Sequence, residues 1–333
     1  MKKTITFLLS ITIISFALYF LISKQPANRI ISEIEIYRFE QSLFSTSEQK
    51  IDNDILIWKK KLGSFFESFN LAVLRTNSKK EDYKNELLEF VSHSDMREAY
   101  DTLNGKYPDL DFLEKEMRDA FAIYAEYFPK KKIPTVITYF SGFNFGVVTN
   151  DTIVAIGLDY FLGKDCSFYK RLNSPEYMRE FNQRKFIIPF CFEAIANNEF
   201  SQFNRKGDFL SEMLFKGKVM YFLDLILPEM SAVEKFRYSK PQFEWCEENE
   251  NNIWTFFIEK DLLFSTEIKR FNSYLNYAPF AKGMPKESPG RVAYFIGWKI
   301  VKAYMENNPN SGLDALMKNT NAQEILQQSG YKP

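Results

Sequence analysis

The first hydrophobic segment of the chain is a long, uncharged run with no amphipathic period. It spans residues 4–23, and Lys2, Lys3 and Lys24 flank it. A run of this length crosses a bilayer as a helix, and no A-x-A cleavage site precedes Lys24. We therefore predict an uncleaved signal anchor in residues 1–24 and a polar linker in residues 25–30; a cleaved signal peptide is the alternative. Both predictions place residues 31–333 outside the cytoplasm, as a single domain.

Beyond the linker, the spacing of apolar positions predicts first a strand and then helices. Residues 31–39 alternate apolar and polar side chains, as a half-buried strand does. Residues 53–94 have a helical pattern, and a further helix starts near Asp109, with Asp109 or Asp111 as its cap. The apolar side chains of that helix recur at helical spacing and predict its buried face: Leu113, Met117, Ala120, Phe121 and Tyr124.

Three β-branched and aromatic runs, separated by turn residues, predict a small sheet. The runs are residues 135–140, 145–149 and 152–158. From residue 174 onward the patterns are helical, and Ser288 followed by Pro289 is typical of a helix start. Gly297, inside that last long helix, predicts close packing against another helix. We predict an α+β, mostly helical fold, in which a small antiparallel meander sheet packs on helices.

The composition predicts a large hydrophobic core and argues against nucleic acid as a partner. Aromatic residues make up 17% of the chain, whereas Gly and Pro number only 13 each. Few helix breakers and many bulky apolar residues favour long helices around a large core. The chain has 43 basic and 43 acidic side chains, so it has no basic field that would attract nucleic acid. We therefore predict no nucleic-acid partner.

Candidate catalytic and metal-binding residues are few. The single histidine, His93, lies in a polar segment and is predicted at the surface, without the carboxylate that orients the histidine of a catalytic triad. Cys166, Cys191 and Cys246 form no C-x-x-C pair, and their number excludes a thiolate-bound structural zinc. We predict three buried thiols; one disulfide with one free thiol is the alternative in an oxidising compartment. No cofactor is predicted.

Several segments of the second half of the chain resemble one protein family. The distinctive ones are LFKGKVMYFLD at 214–224, W-C-x-x-N-E-x-x-I-W at 245–254, and ESPGR followed by IGW at 287–298. VAIGLDYFLG at 154–163 and FIIPFCFEAIANNE at 186–199 belong to the same set. Together they resemble the GldB-like gliding-motility lipoproteins of Bacteroidetes. The resemblance extends from about residue 31 to the C-terminal SGYKP.

The resemblance implies a membrane-anchored cell-envelope protein with its domain in the periplasm. It also implies a role in gliding and a link to the secretion machinery that exports adhesins, with envelope proteins of both machineries as partners. The chain departs from the family in one respect, because it has no lipobox cysteine. Either a transmembrane helix is the anchor in this member, or the assigned start is misleading.

The order of sheet and helices also resembles that of zincin metallopeptidases. In those enzymes a helix that carries HExxH follows the strands, and a later helix supplies a third zinc ligand. Here the corresponding residues run from Phe192 through Glu193 to Ala196, and Lys216 lies near the position of the third ligand. The glutamate is present, but the histidine positions are apolar and an ammonium group does not ligate zinc. We predict a degenerate zincin-like scaffold in which Glu193 is a remnant, with Lys216 as its structural partner.

From these observations we predict a non-catalytic envelope component that supports gliding motility and the associated protein secretion. One alternative is a metal-dependent hydrolase that uses Glu193 as general base with a carboxylate-bound metal. Another alternative is a glycan- or peptidoglycan-binding module, in which Trp245, Trp254 and Trp298 serve as stacking platforms. Otherwise the tryptophans are predicted to be core residues or groove walls.

Overall fold

A computed structural model describes residues 33–204 and 207–333 of the chain. The predicted anchor and linker lie outside the described residues, as do the first two residues of the predicted 31–39 strand. Within the two described ranges, no helix combines the length and the hydrophobicity that a membrane span requires.

Four strands form one mixed sheet. They are β1 (Tyr37–Arg38), β2 (Thr135–Tyr139), β3 (Val147–Thr149) and β4 (Ile153–Gly157), in the order β1-β2-β4-β3. Strand β2 pairs in parallel with both β1 and β4, and only the edge strand β3 runs antiparallel to its neighbour. The three strands predicted in the middle of the chain are present, but their pairing is mixed and not an antiparallel meander.

The position of β4 explains the difference from the predicted meander. All five residues of β4 are buried, whereas the three residues of β3 are half-buried. A strand in the middle of a largely parallel sheet requires an unbroken apolar run, because both of its faces are covered. Ile153–Gly157 supplies such a run, so β4 lies between β2 and β3 and leaves the shorter strand at the edge.

Helices form most of the rest of the described chain, which confirms the α+β, mostly helical class. In chain order they are α1 (Phe39–Phe44), α2 (Ile51–Leu62), α3 (Ser64–Phe69), α4 (Tyr83–Ser92), α5 (Ser94–Lys106), α6 (Asp111–Tyr127), α7 (Ser167–Arg171), α8 (Glu176–Arg179), α9 (Ile187–Phe200), α10 (Phe209–Ile226), α11 (Ala232–Phe236), α12 (Lys240–Glu248), α13 (Glu250–Glu259), α14 (Ile268–Leu275), α15 (Val292–Asn307), α16 (Leu313–Lys318) and α17 (Ala322–Ser329). The face predicted for α6 is confirmed, since all five of its predicted apolar residues are buried.

Several predicted boundaries are corrected by the structure. Strand β1 has only two residues, because helix α1 begins at Phe39. The predicted helical region 53–94 is broken at Gly63, which adopts a positive φ of 54°, and again by the loop at 75–82. Helix α6 begins at Asp111, and the residue in its cap position is Leu110, without a side-chain cap. Helix α15 begins only at Val292.

Ser288 does not cap helix α15 because its hydroxyl is used within the preceding loop. Ser288 Oγ accepts a hydrogen bond from the backbone N–H of Ala281 at 3.0 Å and donates one to the backbone carbonyl of Pro285. The serine therefore closes the loop that leads into α15, and the helix starts after Arg291.

Helices α10 and α15 cross at two glycines in the centre of the core. A Cβ atom on Gly217 would lie 2.2 Å from the carbonyl carbon and oxygen of Gly297. A Cβ atom on Gly297 would lie 2.1 Å from the carbonyl oxygen of Met213. Backbone meets backbone at this crossing, which confirms the close packing predicted at Gly297.

Replacement of Gly297 by alanine should destabilise the fold, because the added methyl group forces the two helix backbones apart. We expect Gly297→Ala to lower the free energy of unfolding by about 1–3 kcal/mol or more. Gly105→Ala is the matched control: Gly105 lies in α5, and a Cβ there meets nothing within 4 Å. The control should gain about 0.5–1 kcal/mol from helix propensity. Urea denaturation measures both values, and an unchanged Gly297 variant would contradict the crossing.

Candidate functional site

Glu193, on α9, is held by two buried arginines. Its Oε1 accepts a hydrogen bond from Arg291 Nη2 at 2.9 Å, and its Oε2 accepts one from Arg237 Nη2. The side chains of Arg237 and Arg291 are only 2% and 3% exposed, and that of Glu193 is 12% exposed. The three charges form a buried ionic cluster that joins segments far apart in the chain.

Both arginines have a backbone conformation that is uncommon for a residue with a side chain. Arg237 follows α11 with φ 55° and ψ 44°, and Arg291 precedes α15 with φ 61° and ψ 24°. This left-handed region is the usual place of glycine, and other residues adopt it at a cost of about 1–3 kcal/mol each. Such strain persists only where the surrounding structure imposes it.

Two capped helices impose the conformation of Arg237. Helix α11 starts with a capping box of Ser231 and Glu234, and α12 starts with one of Ser239 and Gln242. Each capping box satisfies backbone N–H groups at a helix start and fixes where the helix begins. The chain must therefore turn between α11 and α12 within a few residues, and Arg237 is the left-handed residue of that turn.

A close backbone contact imposes the position of Arg291. A Cβ atom on the preceding Gly290 would lie 2.4 Å from the backbone nitrogen of Ala278, so only glycine permits the approach. The backbone N–H of Arg291 then donates to the carbonyl of Asn276 at 3.1 Å. The hydroxyl of Tyr238 donates to the Arg291 carbonyl at 3.0 Å. The turn around Arg291 is thus held to two neighbouring segments.

The electrostatics of the cluster favour a permanently charged Glu193. Burial alone would raise the pKa of Glu193, but the positive charges of Arg237 and Arg291 lower it to about 2. Burial raises the pKa of Tyr277, whose hydroxyl accepts a hydrogen bond from Arg291 Nη1 at 2.7 Å, to about 12. A carboxylate with so low a pKa is a weak base at neutral pH. The arrangement suits holding charge in place and does not suit proton abstraction.

Lys216, the partner predicted for Glu193, makes a different contact. Its Nζ donates to Asn197 Oδ1 at 2.8 Å, and Asn197 Nδ2 donates to the backbone carbonyl of Glu193 at 2.7 Å. Among the described residues, the ion pairs of Glu193 are those with Arg237 and Arg291. Lys216 still lies near enough for its charge to contribute to the lowered pKa of Glu193. The two carboxylate oxygens of Glu193 are bonded to the arginines instead, one oxygen to each guanidinium group.

The residues around Glu193 do not fit a catalytic zinc ion. Phe192 and Ala196, at the positions where a zincin has histidines, are buried, and Phe192 packs against Phe121 with ring centroids 5.0 Å apart. Arginine nitrogens occupy both oxygens of Glu193, and their positive charge opposes a divalent cation. Within the described ranges, no group of three or more His, Cys, Asp or Glu side chains is placed to hold a metal ion.

A cavity of about 550 Å³ lies beside the ionic cluster. Arg237 and Tyr277 form part of its wall, together with side chains from residues 177–186 and 238–242. Neither arginine was predicted as a site residue from the sequence. Arg291 belongs to the distinctive ESPGR segment, so the sequence did mark its position. Arg237 lies between the distinctive segments, and no motif in the sequence marks it.

The other residues singled out in the sequence lie away from this cluster. His93 is exposed and caps α5, since its Nδ1 accepts from the backbone N–H of Asp95. All three cysteines are free thiols; Cys191 and Cys246 are buried, and Cys166 is half-buried.

The tryptophans have structural contacts and do not line the cavity. Trp298 is buried and donates to Asp224 Oδ2 at 2.6 Å. Trp254 packs edge-on against Tyr331, and Trp245 is half-buried against the core. None of the three belongs to the wall of the cavity beside Glu193.

Comparison with protein families gives a match over most of the chain. The family model described as "Gliding motility protein GldB" matches residues 23–333. No curated protein matches the chain, and no solved structure does. The resemblance to zincins therefore has no support from these comparisons.

The ionic cluster predicts a specific pH dependence of stability. The pKa of Glu193 in the folded protein is about 2 and its ordinary value is 4.5. The stability that its charge contributes is therefore complete above about pH 4.5 and is lost as the pH falls toward 2. We expect Glu193→Gln to cost about 3 kcal/mol or more near pH 7, because two buried arginines lose their counter-charge.

Urea denaturation of the parent and the Glu193→Gln variant at pH 7 and at pH 3 measures this effect. The stability difference between the two proteins should shrink at pH 3. A stability difference that is the same at pH 7 and at pH 3 would show that the ion pairs do not lower the pKa of Glu193 in the folded protein.

Proposed function

Because the chain belongs to the family of the gliding motility protein GldB, we propose that it is a non-catalytic component of the cell envelope. In this proposal it supports gliding motility and the associated protein secretion through contacts with other envelope proteins. The role in gliding rests on the match over residues 23–333. The non-catalytic character and the link to secretion are the steps that the proposal adds.

The proposal that the protein is non-catalytic rests on the lowered pKa and the ion pairs of Glu193. Glu193 is the acid in the segment that resembles a metallopeptidase helix, and both of its oxygens are taken by buried arginines. A general base requires a pKa near the working pH and an oxygen within reach of the proton that it abstracts. The pKa of Glu193 is about 2, far below neutral pH, and both of its oxygens are already bonded to arginines.

The same proposal treats α9 and the sheet as a scaffold derived from a metallopeptidase-like arrangement. Its support is the contact of α9 with the antiparallel edge strand β3 and the place of Glu193 on that helix. In this proposal the ion cluster replaces the metal of such an enzyme. A fold held together at that point by charge pairs serves as a rigid surface for partner proteins.

The proposed envelope location is supported by the sequence and by the family together. The uncharged run at residues 4–23 is the predicted anchor, and it precedes the matched region. We propose that the partners of the chain are envelope proteins of the gliding and secretion machinery.

Motility of a complemented deletion strain tests the proposal. In a gliding bacterium that lacks this gene, plasmid-borne Glu193→Gln should restore spreading in proportion to the amount of folded protein. Glu40→Gln is the matched control: Glu40 is also a buried acid, paired with Arg38 at 2.8 Å at the start of α1. Titrated expression and immunoblots set equal protein levels. Both variants should then give the same motility per molecule, because each change acts only on stability.

A specific defect of the Glu193 variant would contradict the proposal. If Glu193→Gln accumulates to the level of the parent but abolishes gliding, while Glu40→Gln does not, the carboxylate has a chemical role. That result would favour the metal-dependent hydrolase.

Metal binding gives a second, independent test. We expect the full-length chain, purified in detergent without chelators, to contain less than a tenth of an equivalent of zinc. Its melting temperature should not change with EDTA or with added Zn²⁺, because cations surround Glu193. Elemental analysis and thermal denaturation measure these quantities, and one tightly bound zinc per chain would refute the expectation.

A further inference from the structure

The cavity beside the ionic cluster is built from four separate segments. Its wall comes from the segment around α8, the turn between α11 and α12, the 277–278 segment and Pro289–Gly290. Its volume of about 550 Å³ is in the range of sites for small organic molecules. The aromatic side chains of Tyr177, Phe186 and Tyr277 contribute apolar surface to it.

The charges that line the cavity are mainly positive. Lys185, Arg237 and Lys240 belong to its wall, and Glu180 is its one acidic residue among the described lining residues. Glu180 is itself paired with Lys164, with an oxygen-to-nitrogen distance of 3.2 Å. Lys185 and Lys240 are exposed, so they lie where a ligand would enter, whereas Arg237 is buried.

Arg237 has donors without an acceptor. Its Nη2 bonds to Glu193, but Nε and Nη1 are both buried and have no hydrogen-bond partner. One face of the guanidinium group packs over the ring of Phe190, at 4.1 Å from the ring centroid, and the ring offers no acceptor to the N–H groups in the guanidinium plane. Buried N–H donors of a charged group are rarely left unpaired in folded proteins, and each such group requires an explanation. An acceptor on a ligand bound beside Arg237 would supply it.

The buried charges beneath the cavity do not balance. Arg237 and Arg291 share one carboxylate, that of Glu193, whereas the half-buried Lys216 interacts with both Glu193 and Glu212. A second negative charge near Arg237 would bring the group closer to neutrality, because an uncompensated charge in a low-dielectric interior is unfavourable.

We propose that the cavity binds a small organic molecule through an oxyanion, either a carboxylate or a phosphate group. Arg237 donates to the oxyanion from one of its unpaired N–H groups, at Nε or at Nη1, and Lys185 and Lys240 attract it at the entrance. The aromatic wall contacts the organic part of the ligand. This inference goes beyond the proposed role in gliding, and a binding measurement tests it without any motility assay.

The test uses the full-length chain in detergent and a buffer without phosphate or carboxylate. The probes are benzoate, phenyl phosphate and the neutral analogue benzamide, each measured by isothermal titration calorimetry and thermal denaturation. We expect at least one of the two anions to bind and to raise the melting temperature, and benzamide to bind at least tenfold more weakly. The tighter of the two anions identifies the class of oxyanion. Failure of both anions at millimolar concentration, or equal binding of benzamide, would overturn the proposal.

Variants at the entrance locate the binding. The Lys185→Gln, Lys240→Gln double variant should weaken binding of the preferred anion at least fivefold without a change in stability, since both lysines are exposed. The matched control is Lys59→Gln, Lys60→Gln, which removes the same charge from exposed positions of α2. If both double variants weaken anion binding equally, the effect is one of net charge and not of the cavity, and the proposal is overturned.

Arg237→Lys tests the buried contact. This change keeps the positive charge near Glu193 but removes the planar group with its two unpaired donors. We expect at least a tenfold rise in the dissociation constant of the preferred anion. Unchanged affinity in the folded variant would place the site elsewhere, and if the variant does not fold, the entrance variants decide.

Discussion

The interaction on which this structure depends is the pairing of one buried carboxylate with two buried arginines. Glu193 comes from α9, whereas Arg237 and Arg291 come from a turn and a helix start much later in the chain. Removing Glu193 would leave two buried guanidinium groups without their counter-charge, so the three segments are held together by this one carboxylate. The cluster thereby fixes how the second half of the protein packs against the helix that follows the sheet.

Close backbone contacts support the cluster by placing its members. The glycine crossing of α10 and α15 brings α15 against the core, and Gly290 lets the chain pass Ala278 just before Arg291. Arg291 then adopts a left-handed conformation and is held by bonds to its neighbours. Glycines thus occur where two backbone segments approach closely. The two positions with positive φ beside the cluster have arginine instead of glycine, because the cluster requires the guanidinium groups.

This arrangement connects the fold with the proposed role. A carboxylate with a pKa of about 2 and with both oxygens bonded is suited to structure, and the family match gives the context of gliding motility. The cavity beside Arg237 adds a place at which a small anion would complete the charge balance of the cluster. Binding of an anion there would couple the stability of the protein to a ligand.

The sequence alone determined the α+β, mostly helical class, the places of the three strands in the middle of the chain and the buried face of α6, because the spacing of apolar residues reports local structure. It also indicated the family, and it drew attention to Glu193 and to the ESPGR segment. Only the tertiary structure decided that β4 lies between β2 and β3, and that Glu193 pairs with Arg237 and Arg291, not with Lys216. Strand pairing and charge pairing join residues that are far apart in the chain, and periodicity along a segment carries no record of which distant segment it will meet.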